Sequence, residues 1–297
     1  MASFSKTNPF EVEMVAALVS HLVRQGTFGN EDIAVLTPYL GQLQKIKQRL
    51  RSFFEIVVSD RDLEDLENQD LKDDNVEAAA ESRVNVRKTT LLSALRVATV
   101  DNFQGEEVKV IVISLLRSND QGRCGFLKTS NRINVLLSRA RHGMYIIGNA
   151  QTASSVPMWA NVISILERDR KIGQNLALCC PRHKETLIEV STPDDFTLLS
   201  PEGGCNRKCT LRLQCGHACI NKCHAESLHN AVRCLERCQR IKKVVSTPVR
   251  GHAEIHARRN VKSSYQISPC FVDTYEDGWN ATKCKLWKWY HAESESK

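Results

Sequence analysis

Three stretches of the chain gather side chains that could do chemistry. The first is Thr99-Val-Asp-Asn-Phe-Gln-Gly-Glu-Glu107, a polar turn between two apolar runs. Gly105 would let the backbone approach a ligand closely. Glu107 could accept hydrogen bonds from ribose hydroxyls, and Thr99 and Gln104 could reach a phosphate or water. A plain polar loop between strands would use the same residues. The second is Asn131-Arg-Ile-Asn-Val-Leu-Leu-Ser-Arg-Ala-Arg141, which reads as a helix capped near Thr129, Ser130 or Asn131. Arg132, Leu136 and Arg139 stand at i, i+4 and i+7, so both arginines are expected on one helical face. Two guanidiniums facing one way suit a polyphosphate, where an arginine stabilises the charge that develops during phosphoryl transfer. An ordinary charged surface helix is the alternative, although it leaves the apolar Ile133-Asn-Val-Leu-Leu137 beside them unexplained.

The third stretch holds ten soft or imidazole donors: Cys205, Cys209, Cys215, His217, Cys219, Cys223, His224, His229, Cys234 and Cys238. Two tetrahedral zinc sites need eight ligands, so two zinc ions are expected, with the sharing of ligands left open. So short a segment with so few apolar residues needs a metal to fold. Chelation is therefore expected to unfold residues 200–240 and to spare the rest. Cys179, Cys180 and His183 form a further partial set. A disulfide framework is the alternative, which requires an oxidising compartment.

The elements that must position these groups follow from periodicity. Val12, Val15, Ala16, Val19, Leu22 and Val23 recur every three or four residues and predict an amphipathic helix over 10–25. Ile33-Ala-Val-Leu-Thr37 before Pro38 reads as a buried strand, Gly41–Arg51 as a helix, and Glu55–Val58, Arg96–Val100, Val108–Ser114 and Met144–Gly148 as further strands. Strand–helix–strand order predicts a parallel sheet in an α/β domain. The β-branched run Val108-Lys-Val-Ile-Val-Ile-Ser114 suits a central strand. Thr152–Arg170 is expected to form one helix. Residues 60–92 read as an insertion, partly helical at Ala78–Ala80. The domains are placed at 1–172, 178–240 and a poorly patterned tail at 241–297.

The chain has 297 residues, a net charge of +7 and twelve cysteines. Its charge is uneven: residues 60–81 are mostly acidic against Arg61 and Lys72, and residues 201–262 are strongly basic. A basic half is compatible with phosphate-backbone binding, as it is with a merely solvated surface. No apolar run approaches the roughly 20 residues needed to cross a bilayer, and no secretory leader is evident. The expectation is a nuclear or cytoplasmic protein without a membrane partner.

Ile33-Ala-Val-Leu-Thr-Pro-Tyr-Leu-Gly-Gln42, Thr99–Glu107 and Asn131–Arg141, with Phe126-Leu127 just upstream, resemble motifs IV, V and VI of superfamily 1 helicases, in the branch of the nonsense-mediated-decay helicase. The departures are Ser138 where the family has Thr, and Leu136-Leu137. The resemblance implies a P-loop-NTPase, RecA-like sheet, the second of two helicase domains. It implies that Arg139 is the arginine finger, that Gln104, Gly105, Glu107 and Arg132 face the nucleotide, and that Thr37, Pro38, Thr99 and Arg117 face nucleic acid. Cys215-Gly-His-Ala-Cys219-x₃-Cys-His224 resembles the NFX-type zinc finger, with Cys215, His217, Cys219, Cys223, His224, His229 and Cys234 at its ligand positions and Cys205, Cys209 and Cys238 extending it. A helicase core followed by such fingers is similar to a group tied to RNA silencing and antiviral RNA sensing. That implies RNA as partner, DNA being possible, together with silencing or surveillance proteins.

No G-x-x-x-x-G-K-[ST] loop and no Mg²⁺-binding Asp-Glu pair occurs. ATP and Mg²⁺ are therefore expected to bind only with a first RecA-like domain, and the chain alone should be inactive as an ATPase. The chain is expected to be a fragment, a truncated product or one half of a pair. Three readings stand at this point: half of an ATP-dependent RNA helicase, a non-catalytic zinc-dependent binding protein that keeps the motor domain as a scaffold, and a zinc-finger ubiquitin ligase or DNA-binding factor.

Overall fold

A computed structural model describes residues 7–70, 94–119 and 121–235, and the backbone of 287–291. The first helix, α1 (Pro9–Arg24), starts where Asn8 accepts the Glu11 amide and Pro9 fixes the first turn. Its stripe of Val12, Val15, Leu18, Val19 and Leu22 is buried. The strand β1 (Ile33–Thr37) is buried at all five positions, as expected of a strand covered on both faces. Then come α2 (Leu40–Leu50), β2 (Ile56–Val57), α3 (Asp60–Asp70), β3 (Leu95–Thr99), β4 (Val108–Ser114), α4 (Ser130–Leu137), β5 (Ala140–Gly148), α5 (Ala150–Ser154), α6 (Pro157–Arg168) and β6 (Ile172–Gly173).

The strands β2-β3-β1-β4-β5 are parallel neighbours in that order. Register sets Val35 beside both Val97 and Val112, and Thr37 beside Thr99. One face of the sheet packs on α1 and α2 through Leu18, Leu43, Ile46 and Val112. The other packs on α4 and α6 through Ile111, Ile133, Leu136 and Trp159. This is the α/β, RecA-like arrangement that the strand order predicts. From the tail, β11 (Trp287–His291) runs parallel between β5 and β6.

Between those elements, β7 (Leu176–Cys179) and β8 (Leu187–Val190) form an antiparallel hairpin. After them come α7 (Pro193–Leu199), β9 (Gly203–Lys208) and β10 (Lys222–His224), the last two an antiparallel pair.

Three expectations change. The helix over 131–141 ends at Leu137, because the Ser138 amide closes the last turn on Asn134 and Val135 and the chain then extends into β5. The helix over 152–170 is two helices, with Pro157 at the first turn of α6. Residues 60–70 of the supposed insertion form α3, whereas Ala78–Ala80 lie outside the described residues. No helix among the described residues is long and apolar enough to cross a membrane.

Candidate functional site

Motifs V and VI meet where β4 begins. The Val108 amide bonds the Arg139 carbonyl at 3.2 Å. The Arg139 guanidinium lies along the same junction: Nη1 donates to the Glu106 carbonyl at 3.3 Å, Nη2 to Ser138 Oγ at 2.7 Å and Nε to the Val135 carbonyl at 3.0 Å. Arg141 and Glu107 form an exposed ion pair at 3.1 Å. Gln104 and Gly105 are exposed beside them. Gly105 has φ +88°, and open space stands where a Cβ would be. Its glycine is therefore required by backbone conformation and not by crowding.

Arg132 does not share a face with Arg139, because the helix stops between them. Its Nε and Nη2 grip Asp101 at 2.9 and 3.2 Å, and its guanidinium stacks on Phe126 with Cζ 3.6 Å from the ring centre. The expected pair of free arginines is replaced by one arginine at the motif V–VI junction and one that ties motif V to the Phe126 loop.

The groups expected to face nucleic acid are more deeply set than their motifs suggest. Thr37 and Pro38 are buried. Thr37 Oγ1 has no hydrogen-bond partner among the described residues. Thr99 spends its amide and hydroxyl on Asp62, at 3.1 and 2.6 Å, and Asn102 Nδ2 joins the same carboxylate at 2.6 Å. Asp62 is completely buried at the start of α3. Sequence reasoning missed it, because one acid within an acidic run carries no separate signal. Arg117 donates to Tyr39 Oη at 2.8 Å and leans over that ring. Tyr39 Oη also receives the Phe126 amide at 3.2 Å.

Glu11 was also missed. It stands three and four residues before Met14 and Val15, on the buried stripe of α1, and that spacing was the available signal. It accepts from Ser114 Oγ at 2.5 Å, the Leu116 amide at 2.9 Å and Asn8 Nδ2 at 3.2 Å. Burial raises its carboxyl to about 7, against the lowering effect of Ser114 and Leu116. The bonds fix the bend after β4, where Leu116 has φ 68° and Arg117 is turned toward Tyr39.

Among the described residues the Cys/His donors form three groups, where two were expected: Cys180, His183, Cys205 and Cys223; Cys209, Cys219, His224 and His229; Cys215, His217 and Cys234. Within each group the donor atoms lie within 4.8 Å of one another. Tetrahedral zinc at ordinary bond lengths sets ligand–ligand edges of roughly 3.8 Å for S···S and roughly 3.6 Å for S···N. The first group shows 3.7 Å between Cys180 and Cys223 sulfurs, and 3.6, 3.3 and 3.5 Å from His183 Nδ1 to Cys180, Cys205 and Cys223. Cys209 Sγ lies 3.3 Å from His229 Nε2 in the second, and His217 Nδ1 lies 3.3 Å from both sulfurs of the third. His224 Nδ1 donates to the Lys222 carbonyl at 2.9 Å, which leaves Nε2 buried without a partner. That is how a metal-ligating histidine is oriented. The two four-donor sets fit tetrahedral zinc, and the third supplies three of the four ligands among the described residues.

The thiols shift one another's ionisation. Burial pushes Cys223 up to about 12, with Cys180 and then Cys205 adding to the shift. Burial also raises Cys180, but the His183 and Cys205 amides and the His183 ring outweigh it and bring the thiol to about 7. Cys179 is exposed while Cys180 is buried, since successive residues of an extended chain point to opposite sides. Cys238 lies outside the described residues.

The parallel sheet, with motifs IV, V and VI at its strand ends, defines the class: the second RecA-like domain of a superfamily 1 helicase. The comparisons give the family. A model for the AAA domain matches residues 1–151, half of the chain, and the chain belongs to that family. It is 47% identical over 150 residues, 50% of this chain, to NFX1-type zinc finger-containing protein 1 of Mus musculus. It is 35% identical over 239 residues, 78% of this chain, to the homologue of that protein in Caenorhabditis elegans. It is 45% identical over 103 residues, 33% of this chain, to the helicase required for RNAi-mediated heterochromatin assembly 1 of Schizosaccharomyces pombe. The matched stretches span 8% of the length of the mouse and worm proteins and 10% of the yeast one.

Proposed function

We propose that the chain supplies the second motor domain of an ATP-dependent RNA helicase, joined to a zinc-binding module that contacts RNA or a partner protein in RNA silencing or surveillance. One observation carries the reading: Arg139 is seated on the motif V turn, beside the exposed Gln104, Gly105 and Glu107. An arginine held by carbonyls and a serine, with no carboxylate on it among the described residues, keeps its charge available to a phosphate. In this account Arg139 stabilises charge at the γ-phosphate, and Gln104, Gly105 and Glu107 line the nucleotide. Arg132 sets the motif V turn through Asp101. Thr37, Thr99 and Arg117 shape the nucleic-acid side, with Pro38 ending β1.

The phosphate cradle and Mg²⁺ ligands have no counterpart in this sequence and come from a first RecA-like domain. Bound there, ATP supplies the free energy for strand translocation. Zinc ions held by Cys209, Cys219, His224 and His229, and by Cys215, His217 and Cys234, give the finger region its fold. The names of the mouse, worm and yeast relatives support the zinc and RNA-silencing parts of this reading. The other reading is a zinc-dependent RNA- or protein-binding chain that uses the motor domain as a scaffold. The test supplies a first RecA-like domain and compares Arg139→Ala with the parent. A fall in ATP hydrolysis of about 10³-fold or more is expected for an arginine finger, and an unchanged rate refutes the role.

A further inference from the structure

The donor group nearest the sheet is built differently from the other two. Cys180 and His183 lie outside the Cys215–Cys234 stretch that carries the finger resemblance. They come from the turn after β7, Cys205 comes from β9 and Cys223 from β10. Cys180 and Cys223 are completely buried and Cys205 is 2% exposed. All three belong to the apolar cluster that holds Met14, Val15, Leu18 and Leu22 of α1 and Val35 of β1. The other donor cysteines cluster separately, around Leu213.

The last turn of α1 is fastened to the same segment. His21 Nδ1 lies 2.9 Å from Ser200 Oγ, with its ring 5.4 Å from that of Phe196. Arg24 Nη1 donates to the Pro201 carbonyl at 2.9 Å. Gly203 lies so close to α1 that a Cβ would stand 2.5 Å from the Arg24 carbonyl carbon. At Gly204 a Cβ would stand 2.4 Å from the Cys223 carbonyl oxygen, so β9 and β10 close tightly around the donors. Three thiols and an imidazole at tetrahedral edge lengths, inside an apolar core, are costly unless a cation joins them.

We propose that Cys180, His183, Cys205 and Cys223 bind a structural zinc ion that belongs to the α/β domain and not to the fingers, pinning the hairpin and β9–β10 onto α1. The ion closes three chain segments over one face of the sheet. Its loss frees α1 as well as the segment that carries the ligands, so zinc removal does not spare the motor domain. The proposal shares with the finger reading the identity of the ion and takes from it Cys205 and Cys223, which lie here with Cys180 and His183.

Zinc is counted by mass spectrometry on the purified full chain, and amide exchange is followed across residues 9–24. The parent is expected to hold three zinc ions. Cys180→Ser with His183→Ala is expected to hold two and to exchange at α1 at least about tenfold faster, as a locally opened helix does. Cys215→Ser with Cys234→Ser also holds two but keeps parental exchange at α1. His183→Cys, which preserves four ligands, keeps three zinc ions and parental exchange. The proposal is overturned if the first double variant keeps the parent's zinc count, or loses one ion with α1 unchanged. Should that double variant be insoluble, cobalt substitution of His183→Cys decides: a stronger thiolate-to-cobalt absorption supports the site, and a spectrum identical to the parent's overturns it. Failure of the finger reading alone would show in the Cys215→Ser, Cys234→Ser chain, whose zinc count would then equal the parent's.

Discussion

The parallel sheet and the Cys/His module hold together in different ways. The sheet buries β-branched strands on both faces, and its polar interior includes individually satisfied groups such as Asp62 with Thr99 and Glu11 with Ser114. Around Leu213 the module buries little besides its own cysteines. The sheet should therefore lose stability in increments, one group at a time, whereas the module should lose its fold as a unit when its ions go.

The largest expected effect is on the module. A structural zinc ion contributes roughly 10–16 kcal/mol in finger peptides. A strong chelator should abolish amide protection across 203–235 and weaken it in α1, while protection in β3 and β4 persists. Equal loss in both regions would erase the distinction, and no loss in either would remove zinc from the account. Within the sheet, Asp62→Ala strands the Thr99 amide and hydroxyl and the Asn102 amide without their shared acceptor. A loss of about 4 kcal/mol in denaturant unfolding is expected, and a loss below about 1 kcal/mol would show that water takes the place of the carboxylate.

Glu11 gives a pH signature of the next size. Its carboxyl is raised from 4.5 to about 7 in the folded chain, so the folded state holds the proton more tightly. Its contribution is fully present below pH 4.5 and is lost as pH rises to 7, on the order of 3 kcal/mol. His21 acts in the opposite sense. Burial, with Arg24 adding to it, lowers His21 from 6.5 to about 4, so its contribution is present above 6.5 and is lost as pH falls toward 4. The difference between parent and Glu11→Gln melts isolates the carboxyl, and that difference should vary between pH 4.5 and 7 and be flat above. A difference independent of pH would place Glu11 in contact with water. The smallest effect is Gly105→Ala. At φ +88° with open space around it, it should cost about 1 kcal/mol, from backbone strain alone. A cost several times larger would mean that the motif V turn is crowded.

The same contrast explains what could be read in advance. The strands β1 and β4 were legible because a strand covered on both faces is apolar throughout, and 33–37 and 108–114 are apolar nearly without a break. Arg139 was singled out through its motif, but its placement could not be read there. A spacing of i and i+7 implies a shared face only while the helix continues, and nothing local marks Leu137 as its end. The metal groups defeated spacing because they interleave. Cys205 and Cys223 bracket Cys209 and Cys219, which belong to another group, and those in turn bracket Cys215 and His217 of a third. Cys180 and His183 complete a donor group whose other members lie more than twenty residues on, so sequence proximity showed them only as a partial set.

The central claim is that this chain holds half of a nucleotide site, with Arg139 poised and the cradle elsewhere. Hydrolysis of ATP by the purified chain, alone and then together with a first RecA-like domain bearing a phosphate loop, tests it most directly. The account predicts no turnover above the uncatalysed rate alone and RNA-stimulated turnover once the domain is supplied. Turnover by the chain alone, or none after completion with intact zinc and an intact fold, would contradict it.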